Sequence, residues 1–273
     1  MASFTRVNQH SQPLAKLDLP VGDSQRLHLV GVKARVANDI TLTTSANGAT
    51  ASLKSSPFDG PKGIWVVELN GVSAGTVKLE AKHDNKVVAS VEIKVFQKTL
   101  VALPDINTDE GMLTRLFLAE SVNPGDSVNY KEADSKKSML WMRKVIENRL
   151  AHATPNIFGA RKQPSKSGFV LKDIVIAKNQ FHGFEKYPTL DPSININLNG
   201  FTTIANNYSH PNRESYATFI ANAKAAAAKD ALKGFVDPSP KGLYGWRTKG
   251  SSEPGGQFTF YQHLAGQTFY TLK

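Results

Sequence analysis

One glutamate on the apolar stripe of a helix is the residue in this chain best placed for acid–base chemistry. In LTRLFLAESV (113–122), Leu113, Leu116 and Phe117 recur at i, i+3 and i+4, and Glu120 takes the i+7 position on the same face. Burial disfavours the charged form of a carboxyl and raises its pKa. Such a group is either paired with a buried cation, for which Arg149 is the candidate, or kept neutral so that it can deliver a proton. The polar loop SVNPGDSVNY (121–130) follows at once, so one side of Glu120 would stay open to substrate.

The chemistry that fits is cleavage of a glycosidic bond, which needs a proton on the leaving oxygen. Hydrolysing glycosidases use two carboxylates, about 5–5.5 Å or 6.5–9.5 Å apart. Three and four positions after Glu120 stand Asn123 and Pro124, with Asp126 next in line as a second acid and Glu132 beyond it. A single glutamate suffices for a lytic transglycosylase. It protonates the leaving sugar, then takes a proton from the 6-hydroxyl of muramic acid as that oxygen closes on its own anomeric carbon. For a peptidoglycan substrate, which a family resemblance of several later blocks implies, this route is favoured over hydrolysis by a muramidase.

The elements that must position Glu120 lie in 101–273. Asn107 or Thr108 can cap a helix that starts with Asp109 and Glu110 and runs to about Ser121. A second helix spans about 134–151, with Met142, Val145, Ile146 and Arg149 on one face. LKDIVIA (171–177) reads as a short helix. RESYATFIANAKAAAAKDALKG (213–234) reads as an Ala-rich helix ended by Gly234. Long Gly-, Pro- and Asn-rich stretches between them read as loops.

Residues 14–97 have a different period. RLHLVGV, ITLTTS, GIWVVEL, GTVKLEAKH and KVVASVEIKVF are short Val-, Ile-, Leu- and Thr-rich runs punctuated at about ten-residue spacing, the pattern of a small β-sandwich. HDNK (83–86) is a hairpin turn. GVSAG (71–75) matches a nucleophile-elbow pattern, but a strand-like run follows where a helix is required, so Ser73 reads as a turn residue. NGVSAGTVKLEAKHDNKVVASVEIKV resembles bacterial immunoglobulin-like modules.

Several blocks after residue 109 resemble the SleB-type cell-wall hydrolases of the lysozyme-like superfamily. They are LTRLFLAESV, MRKVIENRL (142–150), LKDIVIAKNQFHGF (171–184), DPSPKGLYGW (237–246) and LAGQTFYTL (264–272). The two resemblances together imply an Ig-like β-sandwich over 1–100 and a mainly α, lysozyme-like domain over 101–273. The SleB-type resemblance implies Glu120 as the catalytic acid, Asn148 and Arg149 as structural support, and Gln180 and Phe181 along the sugar groove. Tyr244 would be the aromatic of the closing block, with Phe269 and Tyr270 in the last one. His182 beside Phe181 could touch substrate, and Tyr244 and Trp246 with Arg247 offer aromatics beside a cation.

The net charge of +10 is spread as an excess of four positive charges in 1–100 and six in 101–273. A diffuse positive charge suits a polyanionic partner such as nucleic acid, an anionic membrane or the bacterial cell wall. There is no cysteine, so thiol chemistry and disulfides are excluded. No HExxH or other zinc spacing, no nucleotide-binding loop and no nucleic-acid module is legible, and no cofactor is called for. No apolar run is long enough to span a membrane. The amino-terminal residues have no secretory h-region. The expectation is therefore an antibacterial effector acting in the periplasm or wall of a target cell, delivered by a secretion system or a phage, with an immunity protein as possible inhibitor. The rival is a non-catalytic wall-binding or phage-tail structural protein, which a groove blocked by QPSKSG (163–168) would favour.

Overall fold

The computed structural model describes residues 1–7, 9–33, 39–53, 64–163 and 166–273. The chain divides into two compact units, Met1–Thr99 and Leu100–Lys273.

In the first unit alternation along each strand sets the architecture. Strand β6 (Trp65–Gly71) buries Trp65, Val67 and Leu69 and turns the residues between them outward; β8 (Lys86–Phe96) does the same with Ala89, Val91, Ile93 and Val95. The strands form two four-stranded sheets. One has the order β1 (Ser3–Arg6), β3 (Ser24–Val30), β6, β5 (Ala49–Leu53); the other β2 (Lys16–Pro20), β8, β7 (Gly75–His83), β4 (Ile40–Thr44). All pairings are antiparallel except β2 with β8. Phe4, Leu27, Leu29, Val67 and Leu69 from one sheet and Leu17, Leu19, Leu79, Ile93 and Val95 from the other share one apolar core. The β7–β8 hairpin turns through Asp84 and Asn85, both at positive φ (50° and 59°), the two-residue geometry whose twist matches that of its strands. Ser73 lies between β6 and β7, its N–H on the Gly48 carbonyl, with strand on both sides.

The second unit begins with α1 (Asp109–Glu120). Thr108 Oγ1 accepts from the Gly111 N–H at 3.0 Å, and Asp109 and Glu110 fill the first turn. Leu113, Leu116 and Phe117 are fully buried, as the stripe requires. Helices α2 (Glu132–Ala151), α3 (Leu171–Val175), α4 (Pro192–Asn206) and α5 (Arg213–Ala227) follow. Three antiparallel strands close the chain, in the order β10 (Phe258–Leu264), β11 (Gln267–Leu272), β9 (Gly245–Thr248). One core joins the helices to this sheet: Trp141 of α2 meets Phe269 of β11 edge-on at 5.0 Å.

These elements overturn the expected fold class of an Ig-like sandwich followed by a mainly α, lysozyme-like domain. Among the described residues helix and strand are about equal, 28% and 27%, and the strands form three sheets, one of them within Leu100–Lys273. The physical reason is that DPSPKGLYGW and LAGQTFYTL, read as motif blocks with no element assigned, run into the paired strands β9 and β11, whose Trp246 and Phe269 join the core. Two further expectations change. The segment PSININLNGFTTIAN, read as loop for its Asn content, is α4, because Ile194, Leu198, Phe201 and Ala205 fall on one face against the core and burial overrides weak propensity. Helix α5 stops at Ala227, short of Gly234.

Among the described residues no helix is long and apolar enough to cross a membrane. Of the loop 163–168, residues 164–165 lie outside the described residues.

Candidate active site

Glu120 is the last residue of α1, where the helix gives way to extended backbone at Ser121. It is half-buried. Trp246 Nε1 on β9 donates to Glu120 Oε2 at 3.1 Å. Gln267 Nε2 on β11 donates to the Glu120 main-chain carbonyl at 2.6 Å, satisfying one of the acceptors that a helix end leaves open. Gln267 is buried, and the turn before it must come close: a Cβ on Gly266 (φ 73°) would meet Val122 Cγ2 at 2.5 Å. The three-stranded sheet thus grips both ends of the Glu120 residue.

Burial pushes the Glu120 carboxyl above its ordinary value of 4.5, against the Trp246 N–H and the charge of His182, both of which favour the anion. The alternative of a buried ion pair with Arg149 does not hold. Arg149 spends Nε on the Tyr244 carbonyl at 2.7 Å and Nη1 on Gln180 Oε1 at 3.0 Å, and lies over the rings of Phe158 and Phe181. Burial pulls its pKa down to about 10. It works with Asn148, whose Nδ2 donates to Asp237 Oδ2 at 2.7 Å and to the Leu243 carbonyl at 2.9 Å. Together the pair ties α2 to the segment leading into β9, and so sets where Trp246 stands.

The aromatic residues divide into layers. Phe181 stacks on Trp246, centroids 4.9 Å apart, and is itself buried, so it backs the tryptophan. Both border a small cavity of about 160 Å³ that Gln180 and Arg247 also line. Tyr244 is partly exposed and stacks on Phe158 at 5.6 Å, with His152 edge-on to both rings. His182 is exposed and lines a larger cavity of about 820 Å³. Phe269 and Tyr270 are core residues of β11.

Asp126 has other work. Its Oδ1 accepts from the Val128 and Asn129 N–H groups at 3.3 and 3.1 Å, and Oδ2 from Asn129 Nδ2 at 2.8 Å. These bonds, that from the Asn129 side chain first, hold its carboxyl below the ordinary range. It organises its own turn as an anion. Among the described residues no group of three or more His, Asp or Glu is placed to hold a metal ion.

Gln267 and Asp237 are site-building residues that the sequence reading passed over. The signal for Gln267 was a lone amide opening an otherwise apolar and threonine-rich strand, QTFYTL; Asp237 carried none beyond its place before proline.

No protein-family model and no curated protein matches the chain. Among solved structures, it is similar to domains 4 and 5 of the S-layer protein SbsC, 21% identical over 30% of this chain and 47% of that one, with a TM-score of 0.25. It is similar to domains 4–9 of the same protein at 18% identity, covering 37% and 15%, with a TM-score of 0.28. The M1 domain from titin matches at 8% identity, covering 37% and 99%, with a TM-score of 0.21. The chain spans less than half the length of these S-layer structures. The resemblance to SleB-type hydrolases and the lysozyme-like superfamily is corrected by the fold itself: among the described residues five helices are combined with three sheets. The blocks that carried it are amphipathic helices and aromatic strands, patterns that many folds share.

Proposed function

We propose that Leu100–Lys273 cleaves the glycan strand of peptidoglycan, with Glu120 as its single acid–base group. The observation that carries this is the Trp246 Nε1 to Glu120 Oε2 hydrogen bond on a half-buried, desolvated carboxyl. Such a carboxyl keeps its proton to higher pH than a free one, and the Trp246 N–H fixes its geometry while the residue stays partly exposed. Support comes also from the aromatic rings beside it and from a net charge of +10, which draws the protein to a polyanionic wall.

The reaction that fits is intramolecular. Glu120 gives its proton to the glycosidic oxygen, and the bond from that oxygen to the anomeric carbon breaks. The carboxylate so formed takes the proton of the muramic acid 6-hydroxyl, whose oxygen bonds to the same anomeric carbon. Glu120 ends protonated, no water is consumed, and the product carries a 1,6-anhydro ring. Asp126 is committed to its turn and Asn123 and Pro124 carry no acid, so the loop after α1 offers no carboxylate to activate water.

The test is digestion of purified peptidoglycan by the full chain and by Glu120→Gln. Soluble anhydro-muramyl fragments from the first only are the expected result. Binding to the wall without release of fragments by either protein would replace the enzyme with a wall-binding protein.

A further inference from the structure

The cavity of about 820 Å³ bordered by α3 and the start of α4 is not needed to explain Glu120. His182 lines it, and the preceding residue, Phe181, stacks on the tryptophan that holds Glu120. Three carboxylates border the cavity, and each is fixed through one oxygen by a main-chain N–H. Asp173 Oδ2 accepts from Val170 at 2.9 Å, Glu185 Oε2 from Gly183 at 2.9 Å, and Asp191 Oδ1 from Ser193 at 2.8 Å. The other oxygen of Asp173 is the telling one. The residue is fully buried, and Oδ1 has no hydrogen-bond partner. A buried acceptor left open is costly, so a donor brought by a ligand is the natural answer to it.

The rest of the lining narrows the ligand. Arg161, Lys178 and Lys186 set three cations against the three acids, and Ile176 and Leu190 give it an apolar part. Among the described lining residues the one ring is the His182 imidazole, with no Phe, Tyr or Trp, whereas the small cavity beside Trp246 has four such rings. Sugar faces belong on rings. Carboxylates, ammonium groups and amides on a short aliphatic frame belong against fixed charges of both signs.

We propose that this cavity receives the short zwitterionic peptide that substitutes peptidoglycan glycan, so that the site acts on peptide-bearing strands in preference to stripped ones. This rests on the glycan-cleaving reading for its consequence, but binding can be measured without it. Asp173 accepts an N–H of the peptide, and Lys178 and Lys186 meet its carboxylates.

Two measurements on the full chain test it. Calorimetric titration with a free stem tetrapeptide should show binding, weakened about 10-fold or more in Asp173→Asn, in line with one charge-assisted hydrogen bond. The exposed double variant Lys178→Ala/Lys186→Ala should show a similar loss, and guards against a folding defect in the buried one. Turnover of peptide-bearing strands should exceed that of amidase-stripped strands, with the difference narrowed in both variants. Peptide binding without cleavage of either strand would uphold the cavity's role and sink the enzyme. Cleavage of both strands at equal rates with no peptide binding would do the reverse, and overturns this proposal.

Discussion

The two units treat charge in opposite ways. Among the described residues of Met1–Thr99 the buried ones are apolar apart from Thr5, and ion pairs such as Lys16–Glu92 and Lys78–Glu80 stand at the surface. In Leu100–Lys273 Arg143, Arg149 and Asp173 are buried, and Glu120 is desolvated. Removing a charge from water costs several kcal/mol. A fold that does so repeatedly in one unit and avoids it in the other is spending stability on position, and such groups gather where chemistry is done. The proposed chemistry belongs with these groups in the second unit, whereas the first is a framework of sheets.

That contrast can be broken most sharply at Glu120. Glu120→Gln should lower glycan cleavage by roughly 10²–10⁴-fold, the usual contribution of a general acid–base group, while the circular dichroism spectrum stays the same. Residues 100–273 alone should retain cleavage of soluble glycan fragments, and residues 1–99 alone should show none; activity in the β unit would end the division.

Next in size is stability. Arg149→Met should destabilise the second unit by about 2–4 kcal/mol, since the Tyr244 carbonyl and Gln180 lose charged donors in a buried setting. Lys16→Ala in the first unit, at an exposed pair, should change unfolding by less than about 1 kcal/mol. Urea melts of both variants make the comparison, and equal effects would mean that the units are not different in kind.

Two smaller effects follow pH. Trp246→Phe keeps a ring against Phe181 but removes the N–H that favours the Glu120 anion. The carboxyl should then hold its proton longer, and the alkaline limb of kcat/KM should move to higher pH; a move to lower pH would assign that limb to another group. The raised carboxyl also has a signature in stability. Between its ordinary value of 4.5 and its folded value, the native chain binds the extra proton, so stability falls as pH rises through that window. Glu120→Gln should therefore gain stability over wild type as pH rises from below 4.5 toward neutrality, and a gain that runs the other way would mean the carboxyl is stabilised as an anion.

Legibility differed between the units for the same reason. Strands β3, β4, β6, β7 and β8 were readable because period-two burial writes itself into each segment, and the HDNK turn carries its own chemistry. Helix α1 and the placing of Glu120 on its stripe were readable from spacing alone. Helix α4 and strands β9–β11 were not, since their stability comes from rings and aliphatics meeting partners far along the chain. The site suffered likewise. Glu120 was visible as a misfit, but the hydrogen bond from Trp246 joins residues 126 apart and that from Gln267 spans 147, and no local pattern encodes either. The SleB-type and lysozyme-like reading failed at this point too, because it took short local blocks for a whole architecture.

The most direct measurement is the mass of what the protein releases from peptidoglycan. A single carboxyl acting first as acid and then as base predicts muropeptides lighter by one water than reducing-end products, from the wild-type chain and not from Glu120→Gln. Reducing ends in their place would show that a second carboxylate activates water, and no released glycan at all would contradict the enzyme altogether.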